Sequence, residues 1–237
     1  MSVLSRLTRY VAFGLIITGL SISLLGCGSG GGAGTSARTV TFCSADEFTP
    51  NCTGAILLDQ WTHMPVRVYF TNDATFTDAS GQVDLKTFVL AGMNEWVDAA
   101  NGLVGYQVVS SPAEADITFT FTTLSAEPSG DAELGLAKLT YAPNMMMDSV
   151  AVQLYIWDGM THNRVYTGLQ ATAAHEFGHV LGIHGHSTDA NDLMYAYHDS
   201  EAPAAVTQSD LNTVKTIYAC AGTRKVAGMA PASRGFH

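Results

Sequence analysis

The stretch HEFGHVLGIHGHS, residues 175–187, carries four histidines: His175, His179, His184 and His186. His175 and His179 are four residues apart, so on a helix both imidazoles lie on one face, one turn apart. Two neutral imidazoles placed that way can reach one divalent cation from the same side. Glu176 is neighbour to the first of them. It stands beside the site without needing to bind the ion, as a carboxylate that takes a proton from water must. A hydrolytic zinc keeps three protein ligands and one open position. The third ligand has to arrive from another direction, so the chain must turn soon after His179. Gly182 permits that turn, because glycine takes positive φ without steric cost. His184 and His186 both follow the turn, and both are candidates for the third position.

The elements that must hold these groups can be read from periodicity. YTGLQATAAHEFGHVLG is the strongest helix: Leu169, Ala173, Val180 and Leu181 form its apolar stripe, and Gly182 ends it. Thr167 and Gln170 have capping-box spacing at its expected start. MPVRVYF, residues 64–70, reads as a first strand. A helix over residues 84–100 places Leu85, Phe88, Val89, Trp96 and Val97 on one side. GYQVVSS and ADITFTFTT are further strands, the second alternating Ile117, Phe119 and Phe121 with threonines, a pattern for one wet face. Residues 125–148 are loop-rich, with room for a short strand at LGLAKLTYA, and residues 149–159 form another strand. Methionines 145–147 are packing material rather than a soft-metal site. TQSDLNTVKTIYA is a closing helix with Thr207 as its cap. This order of strands and helices defines an α+β domain.

HEFGHVLGI and HS followed by LMY resemble the metzincin clan of zinc endopeptidases, and within it the matrixins. Their long motif is HExxHxxGxxH, followed in matrixins by Ser and by a methionine turn about eight residues further on. Counted strictly, the third ligand falls on Gly185, which has no side chain. The resemblance implies His186 as third ligand, with one residue inserted in the turn, because this keeps Ser187 next to the ligand and preserves the interval to Met194. His184 is the alternative. Met194 corresponds to the apolar floor under the metal, not to a ligand. Ala196 stands where astacin- and serralysin-type metzincins have Tyr and where many matrixins have Pro, so no tyrosine ligand is carried over. Tyr195 and Tyr197 then fall below the site.

The likeness runs over residues 56–220 and implies a metzincin-like domain with a twisted mixed sheet, an active-site helix and a C-terminal helix. It also implies a zinc-dependent endopeptidase with Glu176 as general base and a protein or peptide substrate added as a strand to a sheet edge, for which residues 149–157 are the expected edge. No His/Asp pattern for a second zinc occurs in residues 125–160, and no cysteine-switch motif is present. Calcium is admissible as an additional ion, but no motif supports it.

The remaining sequence concerns address. Arg6 and Arg9 precede an uncharged apolar run, residues 11–25, which is short for a membrane span of about 20 residues and suits a signal segment. It ends in LLGC, which resembles the lipobox of bacterial lipoproteins, with cleavage before Cys27 and lipid on its thiol. Residues 1–26 are then a signal peptide, residues 27–55 a lipidated cysteine with a Gly-rich tether and a small Cys loop, residues 56–220 the catalytic domain and residues 221–237 a loose tail. The expected location is the outer membrane or cell surface, or the periplasm. The mature chain has 9 basic and 21 acidic side chains, a formal charge of −12, which argues against nucleic-acid binding. A monomer is expected. Cys43, Cys52 and Cys220 are available for one disulfide in an oxidising compartment. Two rival readings are a gluzincin using Glu201 as third ligand, and a non-catalytic surface-binding lipoprotein with a structural metal or none.

Overall fold

A computed structural model describes residues 10–17, 60–71, 74–78, 81–127, 133–142, 146–157, 162–199 and 205–218. Cys27, Cys43, Cys52, Glu201, Cys220, the tether and the tail lie outside the described residues. The core is a seven-stranded mixed sheet with strand order β5-β2-β6-β8-β7-β1-β9. Its members are β1 (Tyr10–Ile17), β2 (Val66–Phe70), β5 (Tyr106–Val108), β6 (Ile117–Leu124), β7 (Glu133–Tyr141), β8 (Met147–Trp157) and β9 (Tyr197–Asp199). A separate hairpin pairs β3 (Thr75–Asp78) with β4 (Gly81–Asp84). The helices are α1 (Leu85–Ala99), α2 (His162–Val180) and α3 (Gln208–Tyr218). Strand and helix order agree with the α+β expectation.

β2, β5, β6 and β8 run parallel, and β7 runs antiparallel to β8. On β8 the buried residues Val150, Val152, Leu154 and Ile156 alternate with more exposed ones. The opposite face is polar, where Gln153 Nε2 donates to Thr122 Oγ1 at 2.7 Å. The alternation of β6 therefore serves its expected purpose: Ile117 and Phe119 face the core, and threonines face the wet side.

One expectation is overturned. Residues 149–157 are not an edge: β8 is bonded to β6 on one side and to β7 on the other, so both of its backbone edges are satisfied. The strand beyond it is β7, nine residues long where the sequence suggested a short strand in a loop-rich stretch. On its far side β7 pairs with β1, Gly14 opposite Leu136, and β1 in turn pairs antiparallel with β9, Val11 opposite His198. Part of the expected signal segment is thus extended along β7. Among the described residues no helix is long and apolar enough to cross a membrane.

α1 begins at Leu85, with the Asp84 side chain accepting from the Lys86 N–H. The predicted stripe of α1 is buried in full. α1 crosses α2 closely at Gly92, where a Cβ would lie 2.8 Å from the Ala174 nitrogen. α2 starts earlier than the Thr167–Gln170 pattern suggests, so that pattern lies within the helix. Residues 162–166 contain neither Gly nor Pro, and nothing there stops a nucleated helix from propagating. α3 is capped as expected: the Asp210 N–H donates to Thr207 Oγ1 at 3.3 Å, and the Thr207 N–H donates back to Asp210 at 3.0 Å.

Candidate active site and metal centre

α2 delivers its two histidines into the interior. His175, Glu176 and His179 are all fully buried. The helix ends where Gly182 takes φ +99°, the conformation the sequence assigned to it. Its end is tied to distant side chains: Val180 O accepts from the Trp61 indole at 2.8 Å, and Leu181 O, just past the helix, from the Tyr218 hydroxyl at 3.0 Å. The chain then runs back through Ile183, itself fully buried, to His186.

His175, His179 and His186 converge: one ring nitrogen from each lies within 4.8 Å of the others. Ring centroids are 4.9 Å apart for His175–His179, 5.2 Å for His175–His186 and 5.1 Å for His179–His186. The arrangement fits a metal by its donor chemistry. His175 Nδ1 donates to Leu193 O at 2.7 Å, and His179 Nδ1 donates to Ile183 O at 2.6 Å. These bonds fix the tautomer and leave each Nε2 lone pair for the cation. His179 Nε2 is buried with no hydrogen-bond partner. Burial above all, then the neighbouring His186, pushes the His179 pKa down to about 3, against the opposing hydrogen bond to Ile183. His179 is therefore neutral near pH 7, the form that binds metal. His184 is not in the cluster; its Nε2 is hydrogen-bonded to the Tyr141 hydroxyl at 3.0 Å.

Both carboxylate oxygens of Glu176 are buried without a hydrogen-bond partner by geometry. Desolvation first, and then the charge of Glu133, hold its carboxyl well above the usual range, partly offset by the nearby Ala137 backbone N–H. The carboxylate fits only because β7 presents Gly135 to it: a Cβ there would stand 2.5 Å from Glu176 Oε1 and 2.7 Å from Thr172 Cγ2. Gly135 has a local signal, since glycine inside a strand marks a close approach, but the sequence pattern does not say what approaches.

Met194 is fully buried, and its sulfur and the Trp96 ring both crowd Gly178 of α2. The surrounding turn is fixed by a buried polar network. Ser187 N–H donates to Met194 O at 2.7 Å, and Ser187 Oγ donates to Asp192 at 2.5 Å. Asp210, fully buried, accepts from the Leu193 N–H at 2.8 Å and the Met194 N–H at 3.2 Å. Asp210 thus holds the backbone of the methionine turn. The period of α3 predicts the helix but not this second task of its first turn. Tyr195 and Tyr197 lie beyond Met194 with ring centroids 6.1 Å apart.

A mixed sheet backed by helices, with a buried HExxH helix followed by a methionine turn, has the architecture of the metzincin class, and its three converging imidazoles can hold a divalent cation. The matrixin family model (Peptidase_M10) matches residues 60–219, and the chain belongs to that family. Matrix metalloproteinase-18 of Xenopus laevis is 26% identical over 148 residues, covering 60% of this chain and 30% of that protein. Interstitial collagenase of Equus caballus is 44% identical over 50 residues, covering 21% of this chain and 10% of that protein. The chain matches less than a third of the length of either relative.

Proposed function

We propose that His175, His179 and His186 hold the zinc, that Glu176 is the general base, and that the enzyme cleaves extracellular proteins from a lipid anchor at Cys27. The observation that carries this reading is the convergence of three imidazoles beside a fully buried carboxylate. When bound, zinc supplies Lewis acidity, polarising a peptide carbonyl and bringing the pKa of water toward about 7.

The protein residues do the rest. A Glu176 oxygen accepts the proton of the attacking water and then releases it to the nitrogen of the departing chain. Its raised carboxyl pKa suits a group that has to hold the proton between the two events. An extended substrate would lie along β7, whose ladder passes Gly135 and hence Glu176. β1 runs along that edge from Glu133 to Leu139. Cleavage before Cys27 would remove β1 and free the β7 edge for substrate. The same cleavage would leave residues 27–55 as the tether of a catalytic domain at the outer membrane or cell surface.

The test compares casein cleavage and zinc content for the wild type and Glu176→Gln. We expect the variant to keep one zinc and lose at least about a hundredfold in rate. Comparable cleavage by both proteins would remove Glu176 from the mechanism.

A further inference from the structure

His186 reaches the cluster from a short segment between two fixed points. Upstream, Ile183 is fixed by its burial, by its N–H to Gly178 O at 3.2 Å, and by its carbonyl, which holds His179. Downstream, Ser187 is fixed to Met194 and Asp192. Only His184, Gly185 and His186 lie between. Gly185 has no side chain to hold anything. The span is one residue longer than the HExxHxxGxxH spacing provides, so its direction is not set by length alone.

Inside that span His184 supplies an anchor. Its Nε2 lies 3.0 Å from the Tyr141 hydroxyl, with the two rings tilted 42° at a centroid distance of 6.1 Å. Tyr141 is the last residue of β7, and the β7–β8 register shifts between Thr140 and Tyr141. The extra residue is Asp148 of β8, and a shift of this kind locally bends and twists the ladder at Tyr141. The partner is thus carried by the same strand that brings Gly135 against Glu176.

We propose that Tyr141 is a positioning residue: through His184 it sets the path of the lengthened turn and so aims His186 at the metal. The proposal rests on His186 being the third ligand. It also gives His184 a role that needs no contact with the ion. Losing an outer partner of a metal-binding residue typically lowers metal affinity by about 10–100-fold, and an effect relayed through the turn belongs at the lower end.

The experiment measures zinc affinity by chelator competition on the full chain, together with the visible spectrum of the cobalt-substituted protein. The variants are Tyr141→Phe, His184→Ala, His184→Gln, the double variant Tyr141→Phe/His184→Ala, and His186→Ala. Tyr141→Phe should weaken zinc binding about tenfold and alter the cobalt spectrum, with the melting temperature of the metal-free protein unchanged. His184→Ala should do the same, the double variant should be no worse than either single one, and His184→Gln, which keeps a polar nitrogen, should restore part of the affinity. Unchanged affinity and spectrum in Tyr141→Phe would overturn the proposal. So would additive effects in the double variant, or a fall in metal-free melting temperature with no change in the cobalt spectrum. His186→Ala separates the two readings. If it keeps zinc while His184→Ala loses it, the ligand assignment fails. If it loses zinc while Tyr141→Phe does not, only the positioning role fails.

Discussion

Replacing Gly178 with alanine sets two effects of known sign against each other. Gly178 lies in the interior of α2, between Phe177 and His179, and is not among the positive-φ glycines. In an ordinary helix the change to alanine stabilises by about 1 kcal/mol. Here the new methyl would fall inside contact distance of Met194 Sδ and 2.8 Å from Trp96 Cζ2. Neither neighbour can give way easily. The Trp96 ring is fully buried and its indole N–H is tied to Ala174 O at 2.7 Å. Met194 is fully buried, with its backbone tied to Asp210 and Ser187. Overpacking costs about 1–3 kcal/mol, and two restrained neighbours put this site near the top of that range. The clash wins, by about 2 kcal/mol, which for a domain of this size lowers the melting temperature by about 4–8 °C. Displacing Met194 also moves Leu193, whose carbonyl orients His175, so zinc affinity should fall as well. Thermal unfolding of metal-free and zinc-loaded protein by circular dichroism reads both. A melting temperature equal to or above wild type would refute the packing of the methionine turn under α2.

Two further outcomes follow from the site and its address. His179 has a folded-state pKa of about 3 against 6.5 for the ordinary group, so its stabilising contribution is present above pH 6.5 and is lost as pH falls toward 3. From pH 7 to pH 5 the metal-free protein should lose about 2 kcal/mol through this residue. Glu176, with its carboxyl raised, works the other way, stabilising at low pH and losing that as pH rises, so the measurement belongs in Glu176→Gln. A urea midpoint in that variant no lower at pH 5 than at pH 7 would contradict a neutral, buried His179. If Cys27 is the lipidated residue, growth with labelled palmitate should label the wild type and not Cys27→Ser; equal labelling of both would place the lipid elsewhere.

Local patterns carried much of the site. His175, Glu176 and His179 follow from helical spacing, the Gly182 turn from the need for positive φ, and the Thr207 cap from side-chain chemistry at a helix start. The buried stripe of α1 followed from its period. What escaped depends on contacts with other elements. β7 reads ELGLAKLTY, in which Thr140 is the only β-branched residue; it is a strand because β8 pairs with it, not because its own residues demand one. Gly135 matters because Glu176 arrives against it, Tyr141 because His184 does, and Asp210 because Leu193 and Met194 do. Tyr141 and His184 are 43 residues apart, beyond the reach of any local pattern.

The same distinction explains why the motif can be one residue long without losing its ligand. An α-helix turns about 100° per residue, so an insertion between His175 and His179 would swing one imidazole away from the other. After Gly182 the chain is no longer helical, and lengthening a short closed span by one residue costs only about 0.3 kcal/mol on the loop-closure scaling. Thermodynamic tolerance does not by itself give direction, however. Four atoms on Ile183 and Ser187 fix the two ends of the span and leave its interior path to the residues between. The extra residue brings a side chain of its own, and that side chain is held by the strand along which a substrate would bind. A turn of this length without an anchored residue at position 184 should leave His186 able to bind metal but poorly aimed. The difference between tolerated and functional insertion at this site then lies in one hydroxyl on β7.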